Sequence, residues 1–234
     1  MSTLIVNVDA GEHDDHQLDL ELLQYVDALN IGLGGHAGDP KWSQQLAKRA
    51  MESGKRVHLH PGYPDRQRFG RVELDIPWTE LAESLTVQRA VLPDVTACKF
   101  HGAIYNRSIV DAEFAQRLVQ WCDKDGIDCL VTMDDSCLAG VAQDSGITVL
   151  RESFVDRRYV WTGDRLALQS RSESGAVITD VSDVLRQAKS IDEGNIVLAD
   201  GTQRAIRCDT ICFHGDSVNA LALAKAIDEW KHDR

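Results

Sequence analysis

The sequence lacks the features that mark membrane proteins and nucleic-acid-binding proteins. No apolar run approaches the ~18 residues of a membrane span, and the amino terminus has no basic segment followed by a long apolar core, so we expect no signal peptide. Lysines and arginines number 25 against 37 aspartates and glutamates, and they form no basic run. With a formal net charge of −12, we expect neither nucleic acid nor an anionic membrane as a partner.

Cysteine pairs and phosphate-binding loops are missing as well. The six cysteines form no C-x-x-C pair, so without a secretion signal we expect them to be reduced and the protein to be cytoplasmic. No G-x-x-x-x-G-K-[ST] segment occurs, and Gly54-Lys55 leads from a helix into a strand, the reverse of a P-loop. The sequence therefore predicts no nucleotide site of this kind.

What is present favours one globular domain over residues 1–234, with 43% hydrophobic and 26% charged residues. Strand-like and helix-like segments alternate along the chain, which predicts a parallel sheet with right-handed crossovers. Roughly seven strands favour a closed seven-stranded parallel β/α barrel, and an open flavodoxin-like sheet is the alternative. Residues 159–178 are expected to form a hairpin excursion with a turn at Thr162-Gly163-Asp164, and Asp200-Gly201 predicts a second hairpin.

Local signals mark one helix and one strand especially well. Asp39 suits an N-cap, Pro40 suits the first helical position and Gly54 the end, which predicts a helix over 41–53. The strand that follows, 56–60, is broken by Pro61-Gly62-Tyr63-Pro64. We expect Asp39 to be a cap first and a site residue second.

Polar clusters that contain His, Asp, Glu or Lys follow nearly every predicted strand. Parallel β/α folds collect their chemistry at the carboxyl ends of the strands, so we expect these clusters to share one site. A single such cluster would be an ordinary surface loop, but the repetition on separate strands favours a site. His58 points along its strand and is interpreted as a residue of the barrel interior.

The clusters resemble the LamB/YcsF family in the same order from the first strand to the last. The matching segments are Asn7-x-Asp9-x-Gly11-Glu12, Asn30-Ile31, His36-Ala37-Gly38-Asp39-Pro40, His60-Pro61-Gly62-Tyr63-Pro64-Asp65, Phe69-Gly70-Arg71, Lys99-x-His101-Gly102-Ala103-x-Tyr105-Asn106, Glu152-x-Phe154-x-Asp156-Arg157-x-Tyr159, Gly175-Ala176-Val177-Ile178 and Asp209-x-Ile211-Cys212-x-His214-Gly215-Asp216. The polar members match while apolar neighbours such as Val8 and Ala10 differ from the usual pattern.

This resemblance implies a barrel of the glycoside hydrolase/deacetylase type. It also implies the role of a 5-oxoprolinase A subunit, which opens 5-oxoproline to L-glutamate with two partner subunits and ATP. The small-molecule substrate is then 5-oxoproline or a related lactam. Because the chain has no P-loop, we expect a partner subunit to bind the ATP.

Opening a lactam with water needs a base for the water, electrophilic help at the carbonyl and a proton for the leaving nitrogen. The candidates for catalysis are Asp9, Glu12, His60, Lys99 and His101. We hypothesise that Asp9 is the general base and that either His60 or His101 protonates the leaving nitrogen.

The remaining motif residues are candidates for substrate binding: Asn7, His36, Asp39, Tyr63, Arg71, Tyr105, Asn106, Glu152, Arg157, His214 and Asp216. Among the cations, Lys99 and Arg71 could hold a carboxylate or phosphate. The set Asp9, His60 and His101 could instead hold a divalent metal ion, although no H-x-x-x-H spacing supports it. Two other functions stay open: a metal-dependent deacetylase or amidohydrolase that acts alone, and a non-catalytic binding subunit.

Overall fold

The computed structural model of the protein describes residues 4–163 and 165–233. In chain order, its elements are β1 (Ile5–Ala10), α1 (His16–Leu22), β2 (Ala28–Gly32), α2 (Pro40–Glu52), β3 (Arg56–His60), α3 (Trp78–Arg89), β4 (Ala97–Cys98), α4 (Gly102–Val110), α5 (Ala112–Lys124), β5 (Cys129–Thr132), α6 (Cys137–Asp144), β6 (Thr148–Phe154), β7 (Tyr159–Thr162), β8 (Arg165–Leu168), α7 (Val181–Asp192), β9 (Asn195–Val197), β10 (Gln203–Ala205), β11 (Thr210–His214) and α8 (Ala220–His232).

Seven of the strands form a closed parallel barrel in the order β1-β11-β6-β5-β4-β3-β2. The strand β1 closes it by pairing with β2 on one side and β11 on the other, which sets Asp9 beside both Asn30 and His214. The predicted seven-stranded barrel is confirmed, and the open-sheet alternative is wrong because the sheet has no free edge.

Two short hairpins lie outside the barrel. The strands β7 and β8 are antiparallel, and of the predicted turn between them Asp164 lies outside the described residues. Beyond β8 the chain returns to the barrel, where Ile178 N donates to Asp156 O. The strands β9 and β10 are also antiparallel and flank Asp200-Gly201, which confirms the second predicted hairpin.

The helix α2 follows its local signals, whereas α4 does not. The Asp39 carboxylate accepts a hydrogen bond from Trp42 N at 3.0 Å, and Pro40 takes the first position, as predicted. The helix α4 begins at Gly102, directly after His101, and no side chain caps its start. Glycine, asparagine, serine and β-branched residues give α4 a weak intrinsic preference for helix, so its stability comes from the side it buries.

The barrel interior is polar near the site. Along β1, Asn7 and Asp9 alternate with the apolar Val6 and Val8, and the two polar side chains contact residues of other barrel strands. This period of two sends one set of side chains inward and the other toward the helices. Within the described ranges, no helix is both long and apolar enough to cross a membrane.

Candidate active site

A cavity of about 400 Å³ opens at the carboxyl ends of the barrel strands. Its volume is typical of sites for small molecules, which span roughly 300–1,000 Å³. Its wall includes nine of the residues expected to act in catalysis or binding: Asp9, His60, Arg71, Lys99, His101, Tyr105, Asn106, Arg157 and His214. The cavity thus brings together residues from separate strand ends.

Two groups of residues lie at and below the cavity floor. The first, which we call the lysine cluster, consists of Asp9, Lys99, Glu152 and Cys212, of which Asp9 and Lys99 line the cavity. The Lys99 ammonium lies 2.8 Å from Asp9 Oδ1, 3.0 Å from Glu152 Oε1 and 3.0 Å from Cys212 Sγ. Burial alone would raise the pKa of Asp9, but the charges of Lys99 and His60 outweigh it and hold this pKa well below its usual range. Burial would lower the pKa of Lys99, and Asp9 reverses that shift upward. Both groups are therefore ionised at neutral pH.

A chain of hydrogen bonds beneath Asp9 fixes its carboxylate. The amide nitrogen of Asn30 donates to Asp9 Oδ1 at 2.8 Å and to Asn7 Oδ1 at 2.6 Å. His58 Nδ1 donates in turn to Asn30 Oδ1 at 2.8 Å, and burial lowers the pKa of His58 to about 3, so its ring is neutral. Asn7 and His58 therefore support Asp9 from within the barrel.

The second group, the histidine cluster, consists of Glu12, His36, His60 and His101, of which His60 and His101 line the cavity. Glu12 Oε1 lies 2.7 Å from His36 Nε2, 3.5 Å from His60 Nε2 and 3.4 Å from His101 Nδ1. Burial alone would raise the pKa of Glu12, but His101 and His36 hold it well below the usual range. One buried carboxylate thus organises three imidazoles.

Backbone carbonyls fix the tautomers of two of these rings. His60 Nδ1 lies 2.7 Å from Lys99 O, and His101 Nε2 lies 2.9 Å from Phe69 O. Since a carbonyl only accepts, both of these nitrogens carry hydrogen. Phe69 has a φ of 55°, a left-handed conformation uncommon for a bulky residue, at the point where its carbonyl meets His101.

The remaining nitrogens of these two rings, His60 Nε2 and His101 Nδ1, face each other at 3.0 Å. Two lone pairs would repel at this distance, so one nitrogen carries a proton. Burial lowers the pKa of His101 to about 3. Burial also acts downward on His60, but the Asp9 and Glu12 carboxylates outweigh it and raise its pKa. The proton therefore belongs to His60, which donates to His101.

The histidine cluster also offers a possible metal site. Glu12, His36, His60 and His101 each have a ligand atom within 4.8 Å of the others, and Asp9 is not part of this group. The rings of His36 and His101, however, are stacked with centroids 3.7 Å apart and planes within 2°. A metal ion bound to an imidazole lies near the plane of the ring, so one ion cannot serve both. These ring orientations fit a hydrogen-bonded cluster better than a site with all four ligands.

A third feature is the pair Asp156–His214: His214, at the end of β11, lines the cavity, and Asp156, two residues after the end of β6, holds it from behind. Asp156 accepts from both the backbone N and Nδ1 of His214 at 2.9 Å. With Nδ1 bound to the carboxylate, His214 Nε2 lies free at the cavity, 4.0 Å from Asp9 Oδ2. A carboxylate that orients a histidine is a common arrangement for a general base. Asp156 stands in a family motif, yet no role was assigned to it from sequence.

Several residues expected at the site lie elsewhere. Glu12, His36, Glu152 and Asp216 do not line the cavity but contact residues that do, and Asp216 forms an ion pair with Arg71. Asn7 lies one step farther away, because it contacts Asn30, which in turn binds Asp9. Asp39 and Tyr63, expected to bind substrate, are not in the cavity wall. The Asp39 carboxylate caps α2, and the chain after Pro61-Gly62 turns Tyr63 into a separate cavity of about 180 Å³.

Arg171 is a cavity residue that sequence reasoning missed. It lies in the segment after β8, and its side chain joins the wall beside Arg157 and Arg71. No motif surrounds it, and a loop gives no periodic signal that would place one of its side chains. Its position depends on how the hairpin excursion folds back over the barrel.

Comparisons with known proteins find relatives that match this chain along most of its length. The family model described as "LamB/YcsF family" matches residues 5–234. A protein of Pyrococcus abyssi, named as the A subunit of 5-oxoprolinase, is 33% identical over 95% of this chain and 91% of its own length. A protein of the same name from Heliobacterium modesticaldum is 35% identical over 89% of this chain and 85% of its own.

Among solved structures, a "Lactam Utilization Protein" from Thermus thermophilus superposes with a TM-score of 0.84. It is 28% identical, and the match covers 99% of this chain and 96% of that one. The similarity thus extends over nearly the whole length of both chains. The chain belongs to the LamB/YcsF family.

Proposed function

We propose that this chain is the A subunit of a 5-oxoprolinase, and that it acts in the opening of 5-oxoproline to L-glutamate. The observation that carries the proposal is the cavity floor, where the ionised Asp9 meets Lys99 and the protonated His60. Relatives that match nearly the whole chain are named as A subunits of 5-oxoprolinase, which supports the choice of lactam.

Asp9 activates the water in this scheme. Lys99 and Asn30 occupy its Oδ1, so Oδ2, which lies 3.5 Å from His60 Nε2, is the oxygen that accepts the proton of the water. Asp9 Oδ2 lies 4.0 Å from His214 Nε2, so a water held between them contacts both groups. Asp156 holds His214 in the orientation that this contact needs.

His60 supplies the proton for the leaving nitrogen. Of the two histidines considered from sequence, it is the one whose pKa is raised, and it lines the cavity. The Lys99 ammonium lies in the same wall and offers positive charge to the oxyanion that develops at the carbonyl. The residues of this chain thus supply the general base, the general acid and the positive charge that stabilises the oxyanion.

In this proposal, ATP is bound by a partner subunit and not by this chain. An amide in an unstrained five-membered ring opens unfavourably, so coupling to ATP hydrolysis supplies the driving force. The chain has no G-x-x-x-x-G-K-[ST] segment, and we assign ATP binding to one of two partner subunits. The purified chain should therefore hydrolyse little ATP by itself.

The test is an assay of 5-oxoproline consumption and glutamate formation, with and without the partner subunits and ATP. We expect turnover only when the chain, its partners and ATP are all present. Omitting this chain alone is the matched control. Lactam opening by the chain alone, independent of ATP, would contradict the proposal.

A metal-dependent amidohydrolase that acts alone is the second candidate, and the four converging ligand atoms of the histidine cluster favour it. The stacked rings of His36 and His101 oppose it. Elemental analysis of the purified protein, followed by an assay after chelation, separates the two functions. Stoichiometric metal with partner-free activity would replace the first proposal.

A further inference from the structure

The cavity mouth carries more positive charge than its own carboxylates neutralise. Three arginines line it: Arg71, Arg157 and Arg171. Arg71 is already engaged, because it forms an ion pair with Asp216 and lies over the ring of Phe69. It is therefore a poorer anchor for a substrate anion than the sequence suggested.

Arg157 and Arg171 have no such partner. Within residues 4–163 and 165–233, no carboxylate lies within the 4.0 Å ion-pair distance of either guanidinium. Arg157 is only 4% exposed, and its guanidinium donates to Gln169 O at 2.7 Å and to Ala176 O at 3.4 Å. Asp156, the neighbouring carboxylate, is committed to His214.

A buried cation without an anion is costly, and carbonyl contacts compensate only part of its lost hydration. Burial lowers the pKa of Arg157 to about 10, and the nearby charge of Arg171 acts in the same direction. Arg171, half-buried itself, faces repulsion from Arg71. Two adjacent guanidinium groups of this kind are suited to a planar carboxylate, which they can bind through paired hydrogen bonds.

We propose that Arg157 and Arg171 form the subsite for the carboxylate of the substrate, so that the site selects lactams that bear an anionic group over uncharged lactams. The identity of the lactam rests on the proposed function. With the carboxylate on these arginines, the amide bond lies in the same cavity as Asp9 and His60. Arg171 is thereby a specificity-determining residue contributed by the hairpin excursion.

The test is calorimetric titration of the full chain with L-5-oxoproline and with 2-pyrrolidinone, the same ring without its carboxylate. We expect the unaltered chain to prefer L-5-oxoproline. Arg171→Gln should weaken L-5-oxoproline binding by roughly 10- to 100-fold, as expected for a charged hydrogen bond, and leave 2-pyrrolidinone binding unchanged. Arg171→Lys should restore part of the loss.

Arg158→Gln is the matched control, because Arg158 neighbours Arg157 in sequence but is not in the cavity wall. It should alter neither affinity. The subsite is overturned if Arg171→Gln weakens both lactams equally, if it weakens neither, or if the unaltered chain binds L-5-oxoproline no more tightly than 2-pyrrolidinone at millimolar concentrations. Thermal unfolding of each variant checks that the fold is intact.

The reconstituted complex separates this subsite from the function on which it rests. A complete complex that does not open 5-oxoproline would contradict the proposed function, whereas selective binding by the chain would still support the subsite. An active complex in which Arg171→Gln leaves the KM for 5-oxoproline unchanged would contradict the subsite alone.

Discussion

Two buried carboxylates at the end of β1, Asp9 in the strand and Glu12 just after it, have different surroundings. Asp9, in the lysine cluster, contacts an ammonium group that stays charged at every physiological pH. Glu12, in the histidine cluster, contacts three imidazoles, a residue type that gains or loses its proton near neutral pH. The same cavity floor therefore combines a fixed charge with an adjustable one.

The difference has an energetic consequence. An ion pair in a barrel interior has already lost its hydration, so removing one partner leaves a charge that nothing compensates. A cluster of histidines can respond to the loss of a neighbour by releasing a proton. We expect damage to the lysine cluster to reduce stability and activity together, and damage to the histidine cluster to change the pH dependence.

The largest effect is expected for Lys99→Met. It leaves the Asp9 and Glu152 carboxylates buried without their shared cation, which should lower the free energy of unfolding by about 3–5 kcal/mol and abolish turnover. Lys48→Met is the control, since its pair with Glu52 is exposed and contributes about 0.3–0.5 kcal/mol. Urea unfolding measures both. Equal stability of the two variants would show that the lysine cluster is not a structural ion pair.

Asp9→Asn should retain more stability, because the shape is kept and Lys99 still has Glu152 at 3.0 Å. Its turnover should fall roughly 100- to 10,000-fold if Asp9 is the general base. Asp183→Asn, a change in an exposed ion pair, provides the control for the chemical substitution. Measurement of kcat in the reconstituted complex decides the matter, and an unchanged kcat would remove Asp9 as the base.

Glu12→Gln should act on the pH profile. The Glu12 carboxylate helps to raise the pKa of His60 against the effect of burial, so its loss lowers that pKa. A reaction that needs the His60 proton slows as the pH rises through this pKa, and the alkaline limb of kcat should move down by roughly one pH unit or more. Glu152→Gln, in the lysine cluster, should reduce kcat without moving this limb. If the alkaline limb of kcat lies at the same pH in Glu12→Gln and Glu152→Gln, the proposed difference between the histidine cluster and the lysine cluster is contradicted.

The pKa shifts of His60 and Glu12 also determine how the stability of the protein changes with pH. The pKa of His60 is raised on folding, so its stabilisation is complete below the value of an unfolded histidine, about 6.5, and is lost as the pH rises through the folded value. The pKa of Glu12 is lowered, so its stabilisation is present above about 4.3 and is lost as the pH falls through the folded value. Thermal unfolding across pH should show both losses reduced in Glu12→Gln.

The fold was predictable because its signals are local. The sequence Asp39-Pro40 specifies the start of a helix by itself, and alternation of strands and helices favours a barrel. The partners of the site residues were not predictable, because Asp9 and Glu12 carry similar groups and lie only three residues apart. Gly11, with a φ of 69°, turns the chain between them, and each carboxylate then meets whatever distant strands supply. The position of Arg171, a loop residue, depends entirely on tertiary packing.

The smallest effect is expected for Asp39→Ala, which tests where the histidine cluster ends. Asp39 follows His36 closely in sequence, yet its carboxylate binds Trp42 N at the start of α2. Loss of this cap should lower the free energy of unfolding by about 1 kcal/mol and leave the KM for 5-oxoproline unchanged. Asp39→Ser, which retains a capping side chain, should recover most of the stability. A raised KM that Asp39→Ser does not correct, with unchanged stability, would return Asp39 to the binding site and extend the wall of the cavity beyond His36.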